Sequence, residues 1–161
     1  MSAVIRPAAP ADVGAIFALM LELAEFEKLT HLFVATEAGV HDALFGQQRA
    51  AEALVAEAGG AIVGYALFFH NFSTFLGRRG LYLEDIYVQP SQRGSGLGKA
   101  MLRRLAALAV ERQCGRFEWT VLDWNQNAID FYEKMGATVL PDWRIVRITG
   151  GALAQLADDR A

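Results

Sequence analysis

The sequence is poor in residues on which several protein classes depend. Its single cysteine cannot form a disulfide within the chain of 161 residues, which predicts a reducing, cytoplasmic location. The histidines, His31, His41 and His70, lack the spacing of metal ligands, and no metal is expected. No apolar run approaches the length of a membrane-spanning helix. The N-terminus has no basic region followed by an apolar stretch, so no secretory signal is visible.

An excess of basic charge is also missing. The formal net charge is −3, which disfavours general nucleic-acid binding because that function needs a basic surface. The same balance is compatible with a small cationic partner. At 53% hydrophobic residues and 161 residues in length, the chain can bury a proper core. We therefore expect one domain over residues 1–161.

A glycine-rich segment, Gln92–Lys99, is the most informative part of the chain. It follows an apolar, β-rich run, Leu81–Val88, and leads into an amphipathic helix. Gly94, Gly96 and Gly98 alternate there, which removes side chains where a backbone must approach something closely. The first N–H groups of a helix have no partners within the helix, and its dipole favours negative charge. The segment therefore predicts an anion-binding turn of the kind that suits a phosphate or pyrophosphate.

The spacing of this turn excludes two well-known phosphate loops. A Walker loop would need glycine at Arg93 and serine or threonine at Ala100. The dinucleotide fingerprint would need its third glycine at Lys99 or at Met101. What remains is an Arg-x-x-Gly-x-Gly pattern over residues 93–98. Taken alone, the pattern also fits a glycine-rich connection that binds no ligand.

Two further segments occur in the order and spacing of a known family. The Arg-x-x-Gly-x-Gly pattern, the upstream run Leu81–Val88 and the downstream segment Asn125–Gly136 together resemble the GNAT superfamily of N-acetyltransferases. The resemblance extends over nearly the whole chain and is similar in particular to the spermidine/spermine and thialysine acetyltransferases. The segments that carry this closer likeness are Leu81–Asp85, Val4–Ala8 and Glu22–Glu27.

The resemblance implies an α/β fold with a central, mostly antiparallel mixed sheet flanked by helices. It also implies a single N-acetyltransferase domain over residues 1–161. The sequence pattern predicts strands over residues 81–88, 117–122 and 143–148. A polar loop is predicted over residues 71–80. A short helix is predicted to begin after Thr36 as its cap and to end at Gly46. Residues 53–56 and 61–68 are predicted to form a hairpin that turns at residues 59–60.

Acetyl-CoA is the cosubstrate that the resemblance implies, with no metal. Backbone N–H groups of the loop would bind its pyrophosphate, and residues 86–88 would pair their backbone with the pantetheine arm. The expected cofactor-binding residues are Ile86, Tyr87, Val88, Arg93, Gly94, Ser95, Gly96, Leu97, Gly98, Lys99 and Asn125. Asn125 equally suits a helix cap. Arg93, Lys99 and Arg103 can meet CoA phosphates, and Arg103 fits a solvated helix face just as well.

Two catalytic residues are expected by resemblance. A primary amine with a pKa near ~10.4 is protonated at pH 7, so a base must take a proton before attack. Alternation along a strand puts Glu84 and Asp85 on opposite faces, and we assign Glu84 as the base, acting directly or through water. For Asp85, an ion-paired or capping carboxylate is the favoured interpretation. Tyr132 matches the tyrosine that protonates the departing thiolate in many members of the superfamily.

The acceptor is expected to be a small cationic amine, either a polyamine, a diamine or a lysine analogue such as thialysine. Glu27 and Glu84 are the expected substrate-binding residues, although Glu27 also fits an ordinary exposed helix end. One substrate-binding acid of the spermidine/spermine enzymes has no clear counterpart here, since Asp142 does not align with it. A protein or peptide acceptor, a non-catalytic CoA-binding module and a structural dimer are the alternatives. Members of this branch form homodimers, which the resemblance therefore implies for this chain.

Overall fold

The structure is a computed structural model that describes residues 2–158 and residue 160. It divides into two compact units, Met1–Thr120 and Val121–Ala161, which are described separately. The single domain over residues 1–161 stays a prediction. None of the helices within the described residues has the length and apolarity needed to cross a bilayer.

The first unit is built on a mixed sheet of five strands in the order β1-β2-β3-β4-β5. Neighbouring strands are antiparallel except for β4 and β5, which are parallel and joined through helix α3. The strands are β1 (Val4–Pro7), β2 (Glu52–Ala58), β3 (Ala61–Ser73), β4 (Arg78–Val88) and β5 (Phe117–Glu118). The helices of this unit are α1 (Val13–Phe26), α2 (Glu37–Phe45) and α3 (Leu97–Glu111). The expected α/β fold with a mostly antiparallel mixed sheet is confirmed.

Helices cover both faces of this sheet. One core cluster joins buried residues of α1 and α2, including Ile16 and Leu44, to Val55, Tyr65 and Tyr87 on the central strands. On α3, the buried positions are Leu97, Met101, Leu102, Leu105 and Ala109, at helical spacing. Helix α3 packs against β2 and β4. The site described below lies on the α1 face of the sheet and at the end of β4.

The β3–β4 hairpin is longer than the sequence pattern predicts. Residues 71–80 were expected to form a polar loop, and this expectation is wrong because Asn71, Phe72 and Ser73 pair with residues 80, 79 and 78. Only residues 74–77 remain as the turn, which the N–H of Gly77 closes by donating to the carbonyl of Ser73 at 2.9 Å. Pairing with the neighbouring strand thus satisfies backbone groups that the polar composition had assigned to solvent.

The second unit contains helices α4 (Gln126–Lys134) and α5 (Gly150–Ala157). The strand expected over residues 117–122 is reduced to Phe117–Glu118, and residues 143–148 do not form the expected strand. A strand needs a partner for its backbone groups, and no ladder includes any described residue after Glu118. These two expectations are therefore corrected.

An ion pair ties the first strand to the start of α1. Asp12 is only 8% exposed, and its two oxygens accept hydrogen bonds from the Arg6 guanidinium at 2.7 and 3.0 Å. Asp12 also accepts from the backbone N–H of Ala9 at 2.7 Å, which caps the turn before the helix. The hydrogen bonds from Arg6 hold the pKa of Asp12 below its ordinary value.

We expect Asp12→Asn to lower the free energy of unfolding by about 2 kcal/mol at neutral pH, the scale of a hydrogen bond to a charged group. Because the folded-state pKa is lowered, this contribution is present above the ordinary carboxyl pKa and is lost as the pH falls through the folded value. Urea unfolding at pH 7 and at acid pH measures it. Asp158→Asn is the control, because the pair with Arg160 is local and exposed. An equal loss at both pH values would contradict the electrostatic account.

Candidate active site

Strand β4 carries a β-bulge at the first expected catalytic residue. Leu83 pairs with Phe68 on β3, whereas Asp85 pairs with Leu67, so Glu84 is the extra residue without a partner. Bulges are common beside active sites, because they re-aim side chains that strict alternation would send elsewhere. Glu84 is exposed at this point.

Asp85, the residue after the bulge, lies on the α1 face of the sheet. Tyr65 and Tyr87 are directly paired and both belong to the core cluster under α1. Asp85 lies opposite Leu67, which packs against the same cluster, so Asp85 also faces α1. The hydroxyl of Tyr65 donates to Oδ2 of Asp85 at 3.0 Å. Asp85 is thus paired with a buried hydroxyl, and neither an ion pair nor a helix cap involves it among the described residues.

Three ionisable groups share this part of the α1 face. Burial raises the pKa of Asp85, and the charge of Glu84 adds to the effect, while the Tyr65 hydrogen bond opposes it. Burial, followed by the charge of Asp85, raises the pKa of Tyr65. The pKa of Glu27 is raised by burial and then by Asp85. The region is therefore electrostatically suited to a cation, which would relieve the repulsion between the carboxylates.

Glu27 is held in this region by the way α1 ends. Lys28, the next residue, has φ +60 in the left-handed region, and the N–H of Leu29 then donates to the carbonyl of Ala24 at 2.9 Å. This is a common way for a helix to end, although glycine usually occupies the left-handed position. The backbone of Glu27 is itself hydrogen-bonded to the carbonyl of Leu23 at 2.9 Å.

One edge of β4, called the open edge below, has no ladder partner beyond the bulge among the described residues. The ladder with β5 joins Leu81 to Phe117 and Tyr82 to Glu118, and it includes no later residue of β4. On the other side, the N–H of Gln89 donates to Val63 on β3 at 2.9 Å. Because backbone groups alternate in direction along an antiparallel strand, those of Tyr87 also face β3, and those of the residues on either side of it face away.

The N–H and C=O groups of Ile86 and Val88 therefore point to the open edge. The carbonyl of Val88 accepts a hydrogen bond from Nε of Arg93 at 3.2 Å. An extended ligand with amide groups can add to such an edge as a further strand would.

The glycine-rich loop follows directly on this edge. Gly94 and Gly96 have φ +81 and +83, a region that other residues rarely adopt, and Gly96 is the N-cap of α3. The N–H groups of Leu97, Gly98 and Lys99 open the helix and have no carbonyl partner within it. A Cβ atom added at Gly98 would meet no atom within 4 Å beyond the adjacent backbone. This arrangement can bind a diphosphate through backbone N–H groups and the helix dipole.

A shallow groove of about 680 Å³ lies between the end of α1 and this loop. Its lining comprises Glu22, Glu25, Phe26, Tyr87, Gln89, Pro90, Ser91 and Arg93. The guanidinium carbon of Arg93 lies 5.0 Å from the ring centroid of Phe26 and 5.5 Å from that of Tyr87. Sequence reasoning missed the roles of Phe26, Glu22 and Gln89 in this groove, because they come together only in the fold.

The remaining expected site residues belong to the second unit. Asn125 is the N-cap of α4, and its Oδ1 accepts from the N–H of Ala128 at 3.3 Å. Tyr132 lies in the same helix, with its ring centroid 5.7 Å from that of Phe131. Among the described residues, no group of three or more His, Cys, Asp or Glu side chains is arranged to hold a metal ion.

Comparison with known proteins gives the family to which the chain belongs. Residues 18–137 match the model of the Acetyltransferase (GNAT) family, and the chain belongs to that family. It is accordingly an acetyltransferase, and the family uses acetyl-CoA as its cosubstrate.

Individual relatives agree with this class. The chain is 38% identical to a thialysine N-epsilon-acetyltransferase of Sus scrofa, over 97% of this chain and 98% of that protein. It is 36% identical to an L-ornithine N5-acetyltransferase of Arabidopsis thaliana, over 92% of this chain and 85% of that protein. An integron cassette protein of V. cholerae has the same fold, with a TM-score of 0.83 and 24% identity over 99% of both chains. The expected resemblance to the thialysine enzymes is confirmed.

Proposed function

We propose that this acetyltransferase moves the acetyl group of acetyl-CoA to a primary amine of a small cationic substrate, directly within a ternary complex. The names of the thialysine and ornithine relatives support an amine on an amino-acid-like molecule. The observation that carries the proposal is the β4 strand, where a bulged carboxylate is followed by an open backbone edge and an anion-binding loop.

The cofactor fits the open edge and the loop. Backbone groups of Ile86 and Val88 would pair with the pantetheine arm, and the N–H of Ile86 would polarise the thioester carbonyl. The N–H groups of residues 94–99 would bind the diphosphate. Acetyl-CoA supplies an activated acyl group on sulfur, and the protein's own contribution is to orient it and to move protons.

The acceptor amine would be held and deprotonated beside the bulge. Glu84 takes the proton, directly or through water, since it is exposed where the amine must approach. Glu27 and Glu84 bind the substrate, and Asp85 adds negative charge on the α1 face next to them. This environment favours a cation over a neutral acceptor.

Two further roles in the proposed chemistry are assigned by resemblance. Tyr132 gives its proton to the departing thiolate, and Asn125 hydrogen-bonds the pantetheine arm in addition to capping α4. The family model includes both positions, since it extends from residue 18 to residue 137. The roles rest on the resemblance of the Asn125–Gly136 segment.

The identity of the acceptor is tested by measuring the release of free thiol from acetyl-CoA. The reaction is run without acceptor and then with thialysine, ornithine, lysine, putrescine, spermidine and a lysine-containing peptide. Preferred turnover of an amino-acid-like amine supports the proposal, and preferred turnover of spermidine moves the assignment to polyamines. Preference for the peptide supports the protein-acetyltransferase alternative. Absence of turnover on the whole panel, with acetyl-CoA binding intact, supports the CoA-binding module.

We also propose that the protein is a cytoplasmic homodimer. The single cysteine supports a reducing compartment, and the branch that the chain resembles supports the dimer. The tip of the β3–β4 hairpin exposes Phe72, Phe75 and Leu76, which is apolar surface available for association. Sedimentation equilibrium measures the oligomeric state.

The Gly98→Ala variant tests whether the glycine-rich loop binds acetyl-CoA or is only a strand-to-helix connection. Since the added methyl group meets no atom within 4 Å beyond the adjacent backbone, the folded protein accommodates it. Replacing glycine in a helix raises stability by up to about 1 kcal/mol. In the proposed complex the diphosphate lies against the N–H groups of residues 94–99, so we expect the added methyl group to raise the Kd for acetyl-CoA roughly tenfold, or about 1.4 kcal/mol, while Tm does not fall.

Equilibrium dialysis and thermal unfolding together measure these two effects of Gly98→Ala. Gly151→Ala, at an equally open position in α5, is the control and should leave the Kd unchanged. An unchanged Kd in Gly98→Ala would make the loop a simple strand-to-helix connection.

A further inference from the structure

Arg93 contacts three parts of the first unit, namely the open edge of β4, the core under α1 and the end of α1. Its Nε donates to the carbonyl of Val88, at the open edge of β4. Its guanidinium lies over the ring of Tyr87, which is 6% exposed and belongs to the core cluster. The same guanidinium lies over the ring of Phe26, the last residue of α1.

These contacts are directed toward the protein rather than toward a free phosphate site. A planar guanidinium suits stacking on aromatic rings, and lysine cannot reproduce both the stacking and the Nε donor. Arg93 is also the cation among the residues that line the groove, where Glu22 and Glu25 supply negative charge from α1. Arg93 therefore contacts α1 through the ring of Phe26, in a groove to which α1 also contributes carboxylates.

The position of Phe26 bears directly on the acceptor site. Phe26 immediately precedes Glu27, the carboxylate proposed to bind the acceptor. The pKa of Glu27 is raised by burial and then by the charge of Asp85. Any displacement of the last turn of α1 moves Glu27 relative to Asp85 and the bulge. Arg93 belongs to the loop that is proposed to bind the cofactor. Its side chain therefore links this loop to the C-terminal end of α1, where the acceptor is proposed to bind.

We propose that Arg93 is a positioning residue that holds the acceptor-binding end of α1 against the cofactor strand β4. It sets the affinity for the amine through Phe26 and Glu27 without touching the amine itself. This inference rests on the proposed function for its effect on turnover, but the contact itself can be tested without any substrate.

The first test needs no activity. Amide hydrogen exchange is measured on the cofactor-free full chain for the wild type, Arg93→Lys and the control Arg104→Lys, an exposed position of α3. We expect several-fold faster exchange in the last turn of α1 for Arg93→Lys and no change for the control. Unchanged exchange in Arg93→Lys would overturn the proposal whatever the enzyme acetylates.

The second test compares kinetic constants on the acceptor identified by thiol release. We expect Arg93→Lys to raise the KM for the amine roughly five- to tenfold, the scale of a lost cation–π contact. The Kd for acetyl-CoA should change less than about twofold. Phe26→Leu should reproduce the effect, and the double variant should be no worse than the more severe single variant, because both remove one contact.

Two outcomes of the second test would count against the proposal. A large rise in the Kd for acetyl-CoA with an unchanged KM for the amine would make Arg93 a phosphate ligand. Additive effects of Arg93→Lys and Phe26→Leu would mean that the two residues act independently. Absence of turnover in the wild type bears on the proposed function alone, since hydrogen exchange still tests the contact.

Discussion

Replacement of Tyr132 by phenylalanine is expected to lower kcat by about 10²-fold or more while acetyl-CoA still binds. The substitution removes one hydroxyl and keeps the ring, so α4 and its contact with Phe131 should persist. On reference values, a phenol at ~10 protonating a thiolate at ~8.5 is uphill by about 2 kcal/mol. Burial of the sulfur narrows this gap, because it raises the pKa of the thiol.

The pH profile of kcat gives a second indication for Tyr132. A general acid must be protonated to act, so the wild-type rate should fall at high pH, and this descending limb should be lost in Tyr132→Phe. Tyr82→Phe is the matched control, since it removes a hydroxyl from a ring that stacks on Phe69 at 5.1 Å. Full turnover in Tyr132→Phe would remove the assigned role.

Glu84→Gln should lower kcat/KM for the amine by about 10²-fold, the usual scale for loss of a general base. Glu84 is the exposed residue of the bulge, whereas Asp85 already accepts from Tyr65. Asp85→Asn should therefore reduce turnover less than Glu84→Gln does. An equal or larger loss in Asp85→Asn would transfer the role of base to Asp85.

Asp85→Asn also has an expected effect on stability. Burial raises the pKa of Asp85, so its contribution to stability is present below the ordinary carboxyl pKa and is lost as the pH rises through the folded value. An asparagine can still accept from Tyr65 and carries no charge to desolvate. We expect the variant to gain about 1 kcal/mol of unfolding free energy at pH 7 and nothing at acid pH. A loss of stability at pH 7 would contradict this account.

Such a gain would indicate that the carboxylate is kept for function. A buried, weakly compensated charge weakens the folded state, and functional sites are where proteins retain such groups. Urea unfolding of the wild type and Asp85→Asn across the acid range measures the difference, with the turnover of the same samples as the comparison.

Local patterns predicted most of the first unit correctly. Thr36 was expected to cap α2 and Gly46 to end it, and the structure has both, with Thr36 Oγ1 accepting from Gly39 at 3.1 Å. The hairpin of β2 and β3 turns at residues 59–60 as predicted. These features depend on neighbours within a few residues, so a local pattern carries the needed information.

Predictions that depended on distant partners were less successful. The strand expected over residues 143–148 is absent, and the loop expected over residues 71–80 is mostly paired strand. Whether a β-prone segment pairs is decided by another segment far along the chain, which a local pattern does not reveal.

By itself, the sequence determined the family and, through the resemblance, the α/β fold. It also predicted an anion-binding loop, because glycine spacing before a helix is a local feature of the backbone. Only the tertiary structure decided which face each acid occupies. The bulge at Glu84 breaks the alternation between Glu84 and Asp85 on which the sequence argument relied, and Asp85 lies toward Tyr65 and α1. The contact of Arg93 with Phe26 was also decided by the tertiary structure, since it requires α1 and the end of β4 to lie close together.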